Sequence, residues 1–318
     1  MNQISKTLTL FTTTLLLAAC GGNGSSLDTI DSATSAQKPL TITGQVQQGN
    51  IAGATVFLDL NGNGVKDAGE PAAPATVADG KFKLDLTAEQ ATALKAAGTT
   101  AKIVSEGGTD TTTNLPAGLL VSDLPAIAGA TATKNVTAMT TLTAMTPDAQ
   151  KGDLKTVLGT LGLKDSTGHA NDDALIETAT PAVIALSKGV ESALLSVQKA
   201  TSVTVAKAAA AEMGKALATK NAAEITDTQK LADTLSAAAG TALTNNNVAA
   251  GQVTTMVASI NSGCKEVTDL VKGQTGGSLS TEDHTKTESE IMHTVGGEIN
   301  TSVTTTTAEV ETASHGGK

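Results

Sequence analysis

A change of pattern near Pro147 restricts this chain more than any other feature. Between Leu40 and Leu142 the sequence runs in short segments rich in Thr, Val and Ile, broken by Gly, Asp and Pro: "LTITGQVQQG", "ATVFLDL", "GKFKLDL", "AKIVSEGG" and "NVTAMTTL". Alternating β-branched segments bounded by turn residues form half-buried strands, and several at this spacing predict an antiparallel β-sandwich over 40–142. One helix interrupts it at "LTAEQATALKAAG", where Thr87 and Gln90 make a capping box and Gly98 supplies the stop. After Pro147 the chain becomes rich in alanine and poor in β-type runs. Val183, Leu186, Val190, Leu194 and Val197 recur at steps of three and four, which places them on one face of a helix. Val253, Val257, Ile260, Cys264, Val267 and Val271 keep a similar spacing, and Leu231 and Leu235 mark another helix that ends near "TNNN". The expected fold class is therefore α+β and multidomain, with the sandwich followed by an all-α helical bundle over 147–273. The small residues on these helices allow close approach without large side chains.

The segment "VFLDLNGNGVKDAGEP" carries the chemistry. With Asp59 as position 1, Asn61 falls at 3, Asn63 at 5, Gly64 at 6, Val65 at 7, Asp67 at 9 and Glu70 at 12. Those are the diagnostic positions of the twelve-residue calcium loop: side-chain oxygens at 1, 3 and 5 and a backbone carbonyl at 7 surround a hard cation. Glycine permits the sharp turn, and a final glutamate closes the shell. The expected cofactor is Ca2+, bound by Asp59, Asn61, Asn63, Val65, Asp67 and Glu70 with a dissociation constant of about 10⁻⁴ to 10⁻³ M. The competing reading is a solvated Asn/Gly/Asp turn.

The first residues point to an exported protein. "MNQISKTLTLFTTTLLLAAC" holds one early lysine, then an apolar run too short to span a bilayer comfortably, and it reads as a signal peptide over 1–19. Leu17, Ala18, Ala19 and Cys20 resemble the lipobox of bacterial lipoproteins. That resemblance implies cleavage before Cys20, a diacylglycerol on its sulfur, and a further acyl chain such as palmitate on the new amino group. Several acyl chains anchor a protein stably, whereas one alone is marginal. Gly21 stands where an aspartate would be needed for retention at the inner membrane, so the family pattern implies sorting to the outer membrane, with the face left open. Residues 20–39 are small and polar, as in a flexible tether. The Thr-, Ser- and Gly-rich tail over 274–318 has a weak period and is expected to be disordered or loosely packed.

The β context of the loop adds a second resemblance. "GQVQQGNIAGATVFLDLNGNGVKDAGEPAAPATVADGKFKLDL" is similar to the calcium-binding, prealbumin-like or SdrD B-like modules of bacterial surface proteins, most closely over residues 41–86. In those modules a strand enters a DxNxDG loop and a "T-x-x-DGxF" hairpin returns the chain. The resemblance implies a prealbumin/Ig-like sandwich with a structural or adhesive role. It carries the ligands over to Asp59, Asn61, Asn63, Asp67 and Glu70, with Val65 giving its carbonyl. Asn63 departs from the aspartate more often found there, which bears on affinity.

Composition narrows the partners. The net charge is −10, all 21 basic residues are lysine, and there is no Trp or Tyr and only three Phe. The residue types that grip phosphates and stack bases are nearly absent, so nucleic acid is not an expected partner. With Cys20 lipidated, Cys264 has no partner for an internal disulfide, and its place in an apolar seam reads as a buried structural thiol. His169, His284, His293 and His315 are scattered; only His284 with Glu288 has a spacing that could suggest a weak transition-metal site. Asp172 and Asp173 read as a charge pair at a helix N-terminus. No hydrolase, P-loop, dinucleotide or zinc-protease pattern is present, and the chain is not expected to be an enzyme. The expected function is a lipid-anchored envelope or cell-surface protein with a structural, adhesive or assembly role, bound to the membrane and to another envelope protein. The alternative is an envelope-bound hydrolase or an accessory ligand-binding subunit that uses the helical domain.

Overall fold

A computed structural model describes residues 39–111, 114, 116–125, 127, 129–164, 171–173, 175, 179–274, 298–299, 301–309 and 311. The predicted signal peptide, Cys20 and nearly all of the tether lie outside these residues, as do all four histidines. The β-rich part contains β1 (Leu40–Gln47), β2 (Ile51–Ala52), β3 (Thr55–Asp59), β4 (Lys81–Leu86), α1 (Ala88–Ala97), β5 (Lys102–Glu106), β6 (Thr109–Asp110), β7 (Leu120–Asp123), β8 (Thr131–Thr133) and β9 (Val136–Thr137). The helical part contains α2 (Ala138–Met145), α3 (Asp148–Thr160), α4 (Pro181–Ala200), α5 (Val203–Leu217), α6 (Ala222–Ile225), α7 (Thr228–Asn245) and α8 (Ala250–Gln274). The chain is thus an α+β mixture.

Alternation in the strands explains the first core. In β4, "KFKLDL", every second residue is buried, and Phe82, Leu84 and Leu86 face inward with Leu40 and Ile42 of β1. Val56 and Leu58 of β3 and Ile103 of β5 join the same core from a second sheet, of order β3-β5-β7 and antiparallel throughout. Helix α1 covers one end with Ala91 and Leu94. Its capping box forms as read from the sequence: Gln90 N–H donates to Thr87 Oγ1 at 3.2 Å, and Thr87 N–H donates to Gln90 Oε1 at 3.0 Å.

Two features depart from a purely antiparallel arrangement that ends at Leu142. Strand β1 pairs antiparallel with β4 but parallel with β8 and β9. Between β8 and β9 the regular pairing lapses at Lys134 and Asn135 without a change of register, and the Lys134 carbonyl passes so close to Gly44 that a Cβ there would lie 1.9 Å from it. Only glycine lets β1 run under this crossing. The second departure is "NVTAMTTL". Its β-branched residues suggest a strand, yet only Val136 and Thr137 are extended, and Ala138–Met145 is helical. Thr137 and Thr140 form a capping box, while the hydroxyls of Thr141, Thr143 and Thr146 donate to carbonyls four residues earlier. This back-bonding satisfies buried hydroxyls inside a helix, and tertiary packing then overrides intrinsic propensity.

Helix α2 also closes the edge of the second sheet. Val121 N–H of β7 donates to Thr141 Oγ1 at 2.9 Å, and Thr140 Oγ1 donates to the Val121 carbonyl at 3.0 Å. An edge strand that would otherwise present free backbone groups is thereby capped by two side chains. Helix α2 runs across the expected end of the β region at Leu142 and packs on both β7 and α5, and the β-rich and helical parts belong to one compact unit.

In the helical part, the stripe Val183, Leu186, Val190, Leu194 and Val197 of α4 is buried as its spacing requires, against α5, α7 and α8. Along α8, Ile260, Cys264, Val267 and Val271 form the seam, but at its first turns Met256 is buried while Val253 and Val257 are only partly so. The tail expected to be disordered or loosely packed also contributes. Residues 298–299 and 301–309 are helical, Ile299 and Val303 enter the core, and Thr306 shares a 2.8 Å hydrogen bond with Ser259.

The α2 contact gives the first test. Thr141→Val removes the acceptor of a buried amide while keeping the side chain's shape, so it should destabilise the protein by about 1–3 kcal/mol. Thr141→Ser should restore most of that. Urea unfolding measures both.

Candidate functional site

The predicted cation loop leaves the sheet at the end of β3 and returns beside it. Leu58 N–H donates to the Pro71 carbonyl at 2.9 Å and Ala73 N–H to the Val56 carbonyl at 2.8 Å, so Pro71–Ala73 runs back along β3. Asp59 and Glu70, at the two ends of the loop, are therefore fixed by the sheet itself, and both are buried.

Inside the loop the carboxylates collect backbone donors. Asp59 Oδ1 accepts from Gly62 N–H at 2.7 Å and Asn63 N–H at 3.1 Å, and Oδ2 accepts from Gly64 N–H. Glu70 Oε1 accepts from Leu60 N–H at 2.7 Å and Oε2 from Asp67 N–H at 2.9 Å. Asn61 and Asn63 each turn Oδ1 to a backbone N–H two residues on, at 2.9 and 2.7 Å, the local bond these side chains favour in turns. Both amides donate through Nδ2 to Asp67 Oδ2, at 2.7 and 2.8 Å. Val65 exposes its side chain (60%), so only its backbone faces the loop. The structure thus brings all six predicted residues into one closed loop.

The donor set is entirely oxygen: two buried carboxylates, one half-buried carboxylate, two amides and a carbonyl. That chemistry fits a hard cation, because Asp59 Oδ2 and both Glu70 oxygens accept one N–H each and keep a further lone pair. Among the described residues, no three His, Cys, Asp or Glu groups are arranged to hold a metal by themselves. A cation here would therefore draw on the amide and carbonyl oxygens as well.

A residue that the sequence reading did not single out lies against this loop. Val203, in the first turn of α5, packs on the outer face of the second sheet, on the cluster of Phe57, Val104, Leu119, Val121 and Ala144. Lys207 is one turn further on the same helix face. Its Nζ donates to the Asn63 carbonyl at 2.9 Å. A Cβ on Gly64 would lie 1.6 Å from that Nζ, and the φ of +77° at Gly64 is a turn conformation that glycine adopts freely. Burial pushes the Lys207 ammonium below its ordinary range, and the negative charge of Asp59 pulls it part of the way back. Lys102, directly across from Asp59 in the β3–β5 register, is turned instead to Asp123.

The other candidates have structural employment. Cys264 is fully buried, its Sγ–H donates to the Gly189 carbonyl at 3.3 Å, and burial pushes the thiol up to about 12. It holds essentially no thiolate at neutral pH. Asp172 and Asp173 pair with Lys134 at 3.6 and 3.8 Å, and Asp173 also accepts from Asn135 N–H, so the two brace the β8–β9 connection. The sequence reading also did not single out an ion pair inside α4: Lys188 and Glu191, 1% and 5% exposed, bonded at 2.7 Å. Burial raises the Glu191 carboxyl above its ordinary range against the pull of Lys188, and Asp110 adds a like charge. A cavity of about 320 Å³ lies between Pro116 and Ala117, the α4 residues Leu195, Gln198 and Lys199, and Ile299 and Val303. No described helix is long and apolar enough to cross a membrane.

Comparison with known proteins finds no matching family model, no matching curated protein and no matching solved structure.

Glu191 generates a pH prediction. Its folded pKa lies above the ordinary 4.5, so its contribution is fully present below that pH and is lost as pH rises through the folded value. Glu191→Gln should therefore flatten the fall in stability above pH 4.5, read as the difference between denaturation curves of parent and variant across the acid to neutral range.

Proposed function

We propose that this chain is a lipid-anchored protein of the bacterial outer membrane, with a prealbumin/Ig-like β-sandwich braced by calcium and a helical bundle, and that its role is structural, adhesive or in assembly. The observation that carries the reading is the loop from Asp59 to Glu70. Its two end carboxylates are buried, oriented by backbone N–H groups, and pinned to one strand and its return. Asp59, Asn61, Asn63, Asp67 and Glu70, with the Val65 carbonyl, would hold the ion. Bound calcium would supply the positive charge that these carboxylates lack, tying the ends of the loop together.

The lipid part of the reading rests on "LAAC" at Leu17–Cys20 and on the membrane affinity that several acyl chains provide. Another envelope or surface protein is the proposed partner. The mainly apolar lining of the cavity beside α4 suits contact with such a partner better than hydrolysis does. No catalytic role is assigned, since the one thiol singled out is buried and protonated.

Thermal melting of the purified protein tests the calcium reading. With a dissociation constant of about 10⁻⁴ to 10⁻³ M, about 5 mM calcium should add about 1–2 kcal/mol, seen as a rise of a few degrees in Tm. Asp59→Ala should abolish the rise, and a parent that melts identically with and without calcium would sink the calcium brace. For the anchor, Cys20→Ser should abolish both lipid labelling and membrane retention; persistence of either overturns it.

A further inference from the structure

We propose that Lys207 is a built-in competitor of the cation at the Asp59–Glu70 loop, so that the helical part sets the affinity of a site formed by the β-rich part. The inference rests on the calcium reading above and adds a residue to it that lies outside the loop. Three observations carry it. Lys207 Nζ bonds the carbonyl of Asn63, in the middle of the loop. It lies over Gly64, where an added Cβ would fall 1.6 Å from Nζ. Burial pushes its ammonium down, and the charge of Asp59, the residue at the first ligand position, opposes that shift.

Electrostatics then fixes the sign of the coupling. Asp59, Asp67 and Glu70 are the acidic groups of the loop, and Lys66 is its own lysine. Lys102 is engaged with Asp123, whereas Lys207, from outside the loop, is bonded to it. A divalent ion drawn to Asp59 meets an ammonium already in the same field and is repelled by it. By linkage the ion weakens the hold of Lys207 on the loop by the same factor. Lys207 lies one turn beyond Val203, the α5 residue seated on the β3-β5-β7 sheet, so the coupling runs between the loop and the helix that docks beside it.

Calcium titration calorimetry on the full chain tests this with three proteins: parent, Lys207→Met and Lys207→Arg. Removing one charge from the partly screened edge of the site should tighten calcium binding in Lys207→Met by about threefold to tenfold. Lys207→Arg should stay close to the parent. The gap between parent and Met variant should shrink as ionic strength rises from about 0.05 to about 0.5 M, since screening acts on charge and not on packing. A parent that binds calcium with a Met variant of equal or weaker affinity overturns the competition while leaving the calcium reading intact. Binding by the Met variant alone supports it in its strongest form, and binding by none of the three overturns both.

Discussion

The arrangement depends on the burial of both faces of the β3-β5-β7 sheet. Val56 and Leu58 point into the core shared with β1 and β4, while Phe57, between them, points the other way, into a cluster completed by Val104, Val121, Ala144 of α2 and Val203 of α5. A strand buried on one face alternates; β3 is buried at four consecutive residues because helices cover what would be its wet side. Phe57 is one of only three phenylalanines in the chain, and at full burial it is a large apolar contribution to this join. From that contact follow the position of α5, the placement of Lys207 and the closure of the β7 edge by α2.

The helical part meets a different constraint, the scarcity of large side chains. With no Trp or Tyr, its core is filled by Leu, Val, Ile, Met and many alanines, including Ala209, Ala210, Ala239 and Ala242. Such residues bury little area each, so helices must come close together to exclude water. The Cys264 thiol reaching the Gly189 carbonyl shows how near α8 comes to α4. Into the same helix the chain also builds the Lys188–Glu191 pair, whose desolvation cost makes it weak evidence for stability but a specific constraint on which residues can surround it.

Local rules were legible in the sequence where they were strong. The Thr87 capping box, the α4 stripe and the end of α7 near Asn245 follow from cap chemistry and period. The closed turn from Asp59 to Glu70 follows in the same way, because Asn and Asp side chains bond backbone N–H groups a few residues on. "NVTAMTTL" misled because threonine favours strands by intrinsic preference, and nothing local announced that its hydroxyls would bond β7 and the preceding turn. The weak period of the tail likewise concealed Ile299 and Val303, whose burial depends on α4 and α8 being there to receive them.

What the sequence determined by itself is the set of short-range objects: strands, caps, helical stripes, and a loop whose acidic and amide residues sit at calcium spacing. Only the tertiary structure decided how they combine. It set β8 and β9 parallel to β1, placed helices over the outer face of β3, and brought Lys207 to Asn63 across 144 positions of chain. The physical reason is that a local pattern records which face of an element is apolar, while the identity of the surface covering it is fixed by contacts between distant segments, which leave no period in the sequence.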